Sequence, residues 1–359
     1  LSASTVTGIT GELIAEELIF EKQPGDSSGG RPPILLDINP RGGYVVGIKL
    51  MEDHVIGALT DMEGTVVEKN TLPLAEPTPE CVVETIARLV DQLLVASGIM
   101  HRKLVGVGVG LAGIVDLENG ISRKSPFFGW RDLPLRDLLQ QRIEAPVSIE
   151  NDVNTLTLAE ALFGSGQGVS HFLTITVGRG IGLGIVVNGQ FYRGAGGGAG
   201  EFGHTVIEPG GAQCDCGKYG CLEAYVGDRG LMNAAKAREE LSSIQSPDEL
   251  LALANEGNPA AQEVFAHAGV LLGRSVANLV NLFNPQRILI SGEGVRYGHW
   301  MFDSMRTAIQ QNAMQTLLAD VEIRLEPWGD DVWARGAASL VLRQLFESPV
   351  HQMSSVIAD

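Results

Sequence analysis

Glu201-Phe-Gly-His-Thr-Val-Ile-Glu-Pro-Gly-Gly-Ala-Gln-Cys-Asp-Cys-Gly-Lys-Tyr-Gly-Cys-Leu-Glu223 holds three of the chain's four cysteines, Cys214, Cys216 and Cys221. His204 stands ten residues before the first of them. A tetrahedral zinc ion takes four nitrogen or sulfur ligands, and one imidazole with three thiolates is an accepted structural set. The spacing is not that of a common zinc finger. Glycines at 210, 211, 217 and 220 nevertheless allow the backbone to fold around one point. The expectation is a structural Zn2+ held by His204, Cys214, Cys216 and Cys221; the bland alternative is three reduced thiols in a loop. Glu201 and Glu223 flank the cluster. Carboxylates accept from vicinal hydroxyls, and a metal-bound imidazole offers its second nitrogen in a fixed tautomer. The stretch can therefore be a polyol-binding edge, or merely solvated glutamates beside a metal loop.

Outward from this loop, the chain has 359 residues, 44% hydrophobic and 19% charged, enough for two or three globular domains. No apolar run reaches membrane-spanning length, and the start lacks a basic-then-apolar secretory pattern. Clustered cysteines fit a reducing, cytoplasmic setting better than a disulfide framework. A formal charge of −17 excludes a broadly basic nucleic-acid surface, though not a small DNA-reading module on an acidic body.

Residues 1–38 read as such a module or as a solvated helix with a linker. Ser2 is a candidate N-cap, and Val6, Ile9 and Leu13 recur at helical spacing. Ser4, Thr5 and Thr7 are short hydroxyls suited to phosphate or base-edge contacts. A strand near Leu18–Lys22 and a Pro-Gly-Ser wing follow, ending at Gly29-Gly30-Arg31-Pro32-Pro33, whose Arg31 could enter a minor groove. Charge opposes this reading: Lys22 and Arg31 are outnumbered by Glu12, Glu16, Glu17, Glu21 and Asp26.

From Tyr44 the pattern predicts three antiparallel strands (44–50, 54–60, 65–72), a helix over 80–97 and a buried strand over 104–111. A helix over 135–142 and a strand over 146–149 follow, delivering Glu150-Asn151-Asp152 at a strand end, where α/β sheets bind ligands. The plan repeats with strands at 172–177, 183–187 and 190–192, a helix over 259–282, strands at 287–291 and 321–325, and a helix over 332–346. Hairpin strands followed by alternating helix and strand, twice, is an α/β plan of two actin-like, sugar-kinase-like lobes hinged over a cleft. The expected domains are a partial winged helix-turn-helix over 1–38, a first lobe over 39–152 plus 332–359, and a second lobe with the zinc loop and an oligomer contact over 153–331.

With Glu201-x-Gly-His204 and Cys214-x-Cys216-Gly-x-x-Gly-Cys221-x-Glu223 assembled, nearly the whole chain resembles the ROK family of sugar kinases and sugar-responsive repressors. The opening residues with Gly29-Gly30-Arg31-Pro32 are similar to the repressor branch, the first helices of its winged helix-turn-helix lying outside this chain. The resemblance implies that Asn151, Asp152, Glu201, His204 and Glu223 bind a sugar or sugar phosphate, that His204 also holds zinc, and that Asp152 is the general base in family kinases. Those kinases open the first lobe with Asp-x-Gly-Gly-Thr. Here the positions read Lys49-Leu50-Met51-Glu52-Asp53, and the glycine loop Gly178–Gly182 carries Arg179 where Thr is usual. The magnesium carboxylate has become a cation, and two carboxylates would meet the phosphates at about a few kcal/mol each. The expectation is a dimeric or tetrameric cytoplasmic repressor whose operator affinity follows sugar in the cleft, without kinase activity. An active ATP-dependent sugar kinase, and a sugar-binding scaffold for a transporter or phosphotransfer protein, are the alternatives.

Overall fold

A computed structural model of the chain describes residues 2–24, 34–326 and 329–346; Arg31 and the glycine-proline segment around it lie outside them. The chain divides into two compact units, Leu1–Ala159 with Asp330–Asp359, and Glu160–Gly329. Within the first, the helix Ala3–Ala15 is capped by Ser2, whose Oγ accepts from Thr5 N at 3.2 Å. An antiparallel pair, Ile19–Pro24 with Ile34–Ile38, follows it. The stripe expected on this helix is poorly covered, with Val6 45% and Ile9 44% exposed.

The first unit's main sheet runs in the order Val147–Asn151, Leu104–Leu111, Tyr44–Leu50, His54–Asp61, Val66–Pro73. The last three are an antiparallel meander, and the first two pair in parallel. Tyr44–Leu50 and Leu104–Leu111 are buried nearly throughout, as apolar runs bounded by turn residues should be in a central position. Helix Pro79–Ser97 covers one face with Val82, Ile86, Leu89 and Leu93. Helix Asp330–Phe346 covers the other, and glycines bring it in. A methyl on Gly47 would stand 1.8 Å from Ala334 O, and one on Gly108 1.9 Å from Ala337 O. Only hydrogen at both positions permits this approach, which sets the helix's first turns against the middle of the two central strands.

The second unit repeats the plan with the order Gln190–Phe191, Ile181–Val187, Phe172–Val177, Arg287–Ser291, Glu322–Leu325. Its core is built on the helix Pro259–Phe283 packed against His299–Asn312.

Several elements, helix His299–Asn312 among them, have no counterpart in the sequence reading, and two of these adjoin the strand ends of the first unit. Helix Asp152–Phe163 is absent from the sequence reading although Leu, Ala and Glu make up half of it. It is buried on nearly all sides, so it carries no amphipathic stripe, and Thr155 and Thr157 turn their hydroxyls back onto Asp152 O (2.6 Å) and Val153 O (2.7 Å). A small antiparallel sheet, Ile114–Asp116, Ile121–Lys124 and Arg131–Leu133, stands where the sequence reading assigned no element.

Candidate functional site

His204 ends a short 3-10 turn, Phe202–His204, and Cys221 pairs back to Val206 through an antiparallel bridge; a second bridge joins Gln213 to Tyr219. These cross-links fold the loop onto itself. Gly220, at φ 79°, makes the fold possible: a methyl there would stand 1.8 Å from Glu208 O. The result is that ligand atoms of His204, Cys214, Cys216 and Cys221 all lie within 4.8 Å of one another.

The distances test what the cluster fits. Cys216 Sγ and Cys221 Sγ are 3.7 Å apart, and Cys214 Sγ is 3.5 Å from His204 Nδ1. Zinc–sulfur bonds of about 2.3 Å set a tetrahedral sulfur–sulfur edge of about 3.8 Å, and a shorter zinc–nitrogen bond gives a slightly shorter mixed edge. Both spacings agree, and no disulfide joins these cysteines. Without a cation the cluster is hard to ionise: burial pushes the Cys214 thiol up to about 12, and the charges of Glu223 and Cys216 add to the rise. Burial likewise raises Cys221. A divalent cation reverses that balance and favours the thiolates. The donor set therefore fits a divalent metal such as zinc.

Around the cluster stand the two carboxylates. Glu201 Oε2 is 3.7 Å from His204 Nε2, the nitrogen turned away from the sulfurs. Glu223 Oε1 is 4.0 Å from His204 Nδ1, while its Oε2 accepts from Ile181 N at 3.0 Å and is thereby fixed at the end of the glycine loop. Imidazole N–H and two carboxylates, partly exposed and mutually oriented, offer one donor and several acceptors to a polyol.

The first unit brings together a different group. Asn151 caps helix Asp152–Phe163, its Oδ1 accepting from Asn154 N at 3.1 Å and its Nδ2 donating to Gly113 O at 2.9 Å. Asp152 Oδ1 accepts from Val153 N at 3.0 Å, and Oδ2 lies 3.9 Å from Lys49 Nζ. The ammonium rests over the Trp333 ring, 3.4 Å from its centroid. Lys49 is legible in the sequence as a cation in a buried strand. Trp333 is not, because only the close packing of its helix brings it there. Ser4 and Thr5 sit at the start of helix Ala3–Ala15 with hydroxyls 2.8 and 2.7 Å from Ser2 Oγ, and Thr7 is exposed one turn on.

In the second unit a cavity of about 530 Å3 is lined by Asp248, Glu293, Val295 and Arg296. Arg296 is held by Asp248 at 2.9 Å and Glu293 at 3.9 Å. The guanidinium's charge is thus already met by two carboxylates.

The two sheets, the helices that cover them and the loop of one histidine and three cysteines define a mixed α/β, sugar-kinase-like fold. Residues 45–344 match the model of the ROK family, to which the chain belongs. The xylose repressor of Bacillus subtilis (strain 168) is 30% identical over 342 residues, covering 95% of this chain and 88% of that protein. A ROK family transcriptional regulator described as a homolog of the E. coli MLC protein superposes with a TM-score of 0.84 at 28% identity, covering 96% of this chain and 89% of its own. A ROK family glucokinase from Streptomyces griseus, in complex with glucose and AMPPNP, gives 0.74 at 28% identity, covering 84% and 100%. Among the described residues no helix is long and apolar enough to cross a membrane.

Proposed function

We propose that this chain is a transcriptional repressor of carbohydrate metabolism whose operator affinity is set by a sugar or sugar phosphate, and that it has lost kinase activity. Asn151 and Asp152 in the first unit, and Glu201, His204 and Glu223 in the second, are the sugar ligands. His204, Cys214, Cys216 and Cys221 hold a structural zinc ion that fixes the second set. Helix Ala3–Ala15 is the recognition helix and Ile19–Pro24 with Ile34–Ile38 the strands of a winged helix-turn-helix, with Ser4, Thr5, Thr7 and Arg31 at DNA. The domains are taken as 1–38, 39–152 with 332–359, and 153–331, in a cytoplasmic dimer or tetramer. Coupling requires unequal sugar affinity in the DNA-bound and free states. Half-sites about one helical turn apart make recognition sensitive to a movement of a few ångströms.

Lys49 carries this reading. Family kinases place a magnesium carboxylate there, whereas here a buried ammonium is matched to Asp152 and Trp333. The names of the similar repressor and regulator support the DNA role. The retained Asp152 and the likeness to the glucokinase favour a second reading, an ATP-dependent sugar kinase. A coupled assay of the full-length protein with a hexose and pentose panel, ATP and magnesium separates them. Sustained turnover abolished by Asp152→Asn establishes the kinase. No turnover, together with a sugar-dependent shift of DNA flanking its own gene, establishes the regulator.

A further inference from the structure

The contact between Lys49 and Asp152 joins three elements of the first unit. Lys49 is the penultimate residue of Tyr44–Leu50, its neighbours across the sheet being Ile56 and Gly110. Asp152 opens helix Asp152–Phe163, and Trp333 lies in the first turn of Asp330–Phe346. The two charged side chains are only 7% and 16% exposed. A charge removed from water in this way needs a fixed counter-charge, and the Trp333 face adds a second attraction to the ammonium.

The two oxygens of Asp152 then have different partners. Oδ1 takes the Val153 N–H, and Oδ2 faces Lys49, so the plane of the carboxylate is set from both sides. An anion held on both oxygens in this way presents its remaining lone pairs in a fixed direction, as an oriented hydroxyl acceptor. We propose that Lys49, seated on Trp333, is the positioning residue of the sugar site: it aims Asp152 to accept a sugar hydroxyl. The inference rests on the reading of Asp152 as a sugar ligand, and assigns Lys49 and Trp333 a part in binding that the kinase plan has no place for.

The test uses the full-length protein and D-xylose, D-glucose and N-acetyl-D-glucosamine, screened by thermal shift, the sugar with the largest shift then titrated calorimetrically. Lys49→Met keeps the stem on Trp333 and removes the charge. The expected result is at least a tenfold loss of affinity in the native background and less than a twofold further loss when Asp152→Asn is already present. Lys49→Arg is expected to recover part of the loss. A merely structural lysine would weaken both backgrounds by the same factor, and that outcome overturns the proposal. Unchanged affinity in Lys49→Met while Asp152→Asn weakens binding also overturns it and leaves the sugar reading standing. Unchanged affinity in Asp152→Asn, or no shift with any sugar, overturns the sugar reading and the proposal together. Should Lys49→Met fail to fold, Lys49→Gln carries the same expected pattern.

Discussion

His204 turns Nδ1 toward Cys214 Sγ, 3.5 Å away, and so leaves Nε2 for Glu201. One imidazole can in this way serve a metal on one edge and a hydroxyl on the other. Cys216→Ser removes one of four donors. Elemental analysis is expected to find one zinc per chain in the native protein and near zero in the variant, whose loop should lose its order. Sugar affinity should fall with it, and the unfolding midpoint by several degrees. Full sugar affinity after verified zinc loss would break the link between metal and ligand.

Glu223 separates the two roles. Its Oε2 accepts the Ile181 N–H at 3.0 Å, in addition to its place beside His204. Glu223→Ala leaves that amide without its acceptor, at roughly 1–3 kcal/mol, and removes the carboxylate proposed to accept a sugar hydroxyl. Binding is expected to weaken at least tenfold with zinc stoichiometry unchanged, whereas Glu223→Gln, which can still accept from Ile181, should retain the stability. Loss of zinc in Glu223→Ala would instead make this carboxylate part of the metal site.

How much of the molecule is legible in its sequence follows from how local the determining contacts are. Strands such as Leu104–Leu111, Phe172–Val177 and Arg287–Ser291 match their expected bounds because each is a buried apolar run stopped by a turn or a glycine. The cluster of His204 with its three cysteines is visible because its donors are near in sequence. Helix Asp152–Phe163 is hidden because it is buried nearly all round and so shows no amphipathic period. The strands Ile114–Asp116 and Arg131–Leu133 are too short to show a period. Trp333 cannot be assigned to Lys49 beforehand, since no pattern in one stretch encodes a packing that depends on Gly47 and Gly108.

That packing is itself testable. Gly47→Ala drives a methyl into the Ala334 carbonyl, a backbone atom that cannot rotate aside as a side-chain end could. The helix must shift, and a loss of about 3 kcal/mol, the upper end for overpacking, is expected. Chemical denaturation measures it. The shift also carries Trp333 off Lys49, so sugar affinity should fall in the folded variant. A Gly47→Ala protein of native stability would mean that Asp330–Phe346 does not lie on this strand.

Ser4 offers a way to damage DNA recognition without damaging the helix. It lies in the first turn of Ala3–Ala15, exposed, with Ser2 as the cap. A carboxylate there interacts favourably with the helix dipole, by about 0.3–1 kcal/mol, so Ser4→Glu should leave helicity intact or slightly raised. The same charge repels phosphate if this end of the helix enters the major groove. Operator affinity is expected to drop at least tenfold in an electrophoretic mobility assay, with sugar binding and zinc content unaltered. The drop should shrink as salt is raised, because exposed charges are screened over about 10 Å at 0.1 M. Native operator affinity in Ser4→Glu would place this helix away from DNA and remove the ground for calling it the recognition helix.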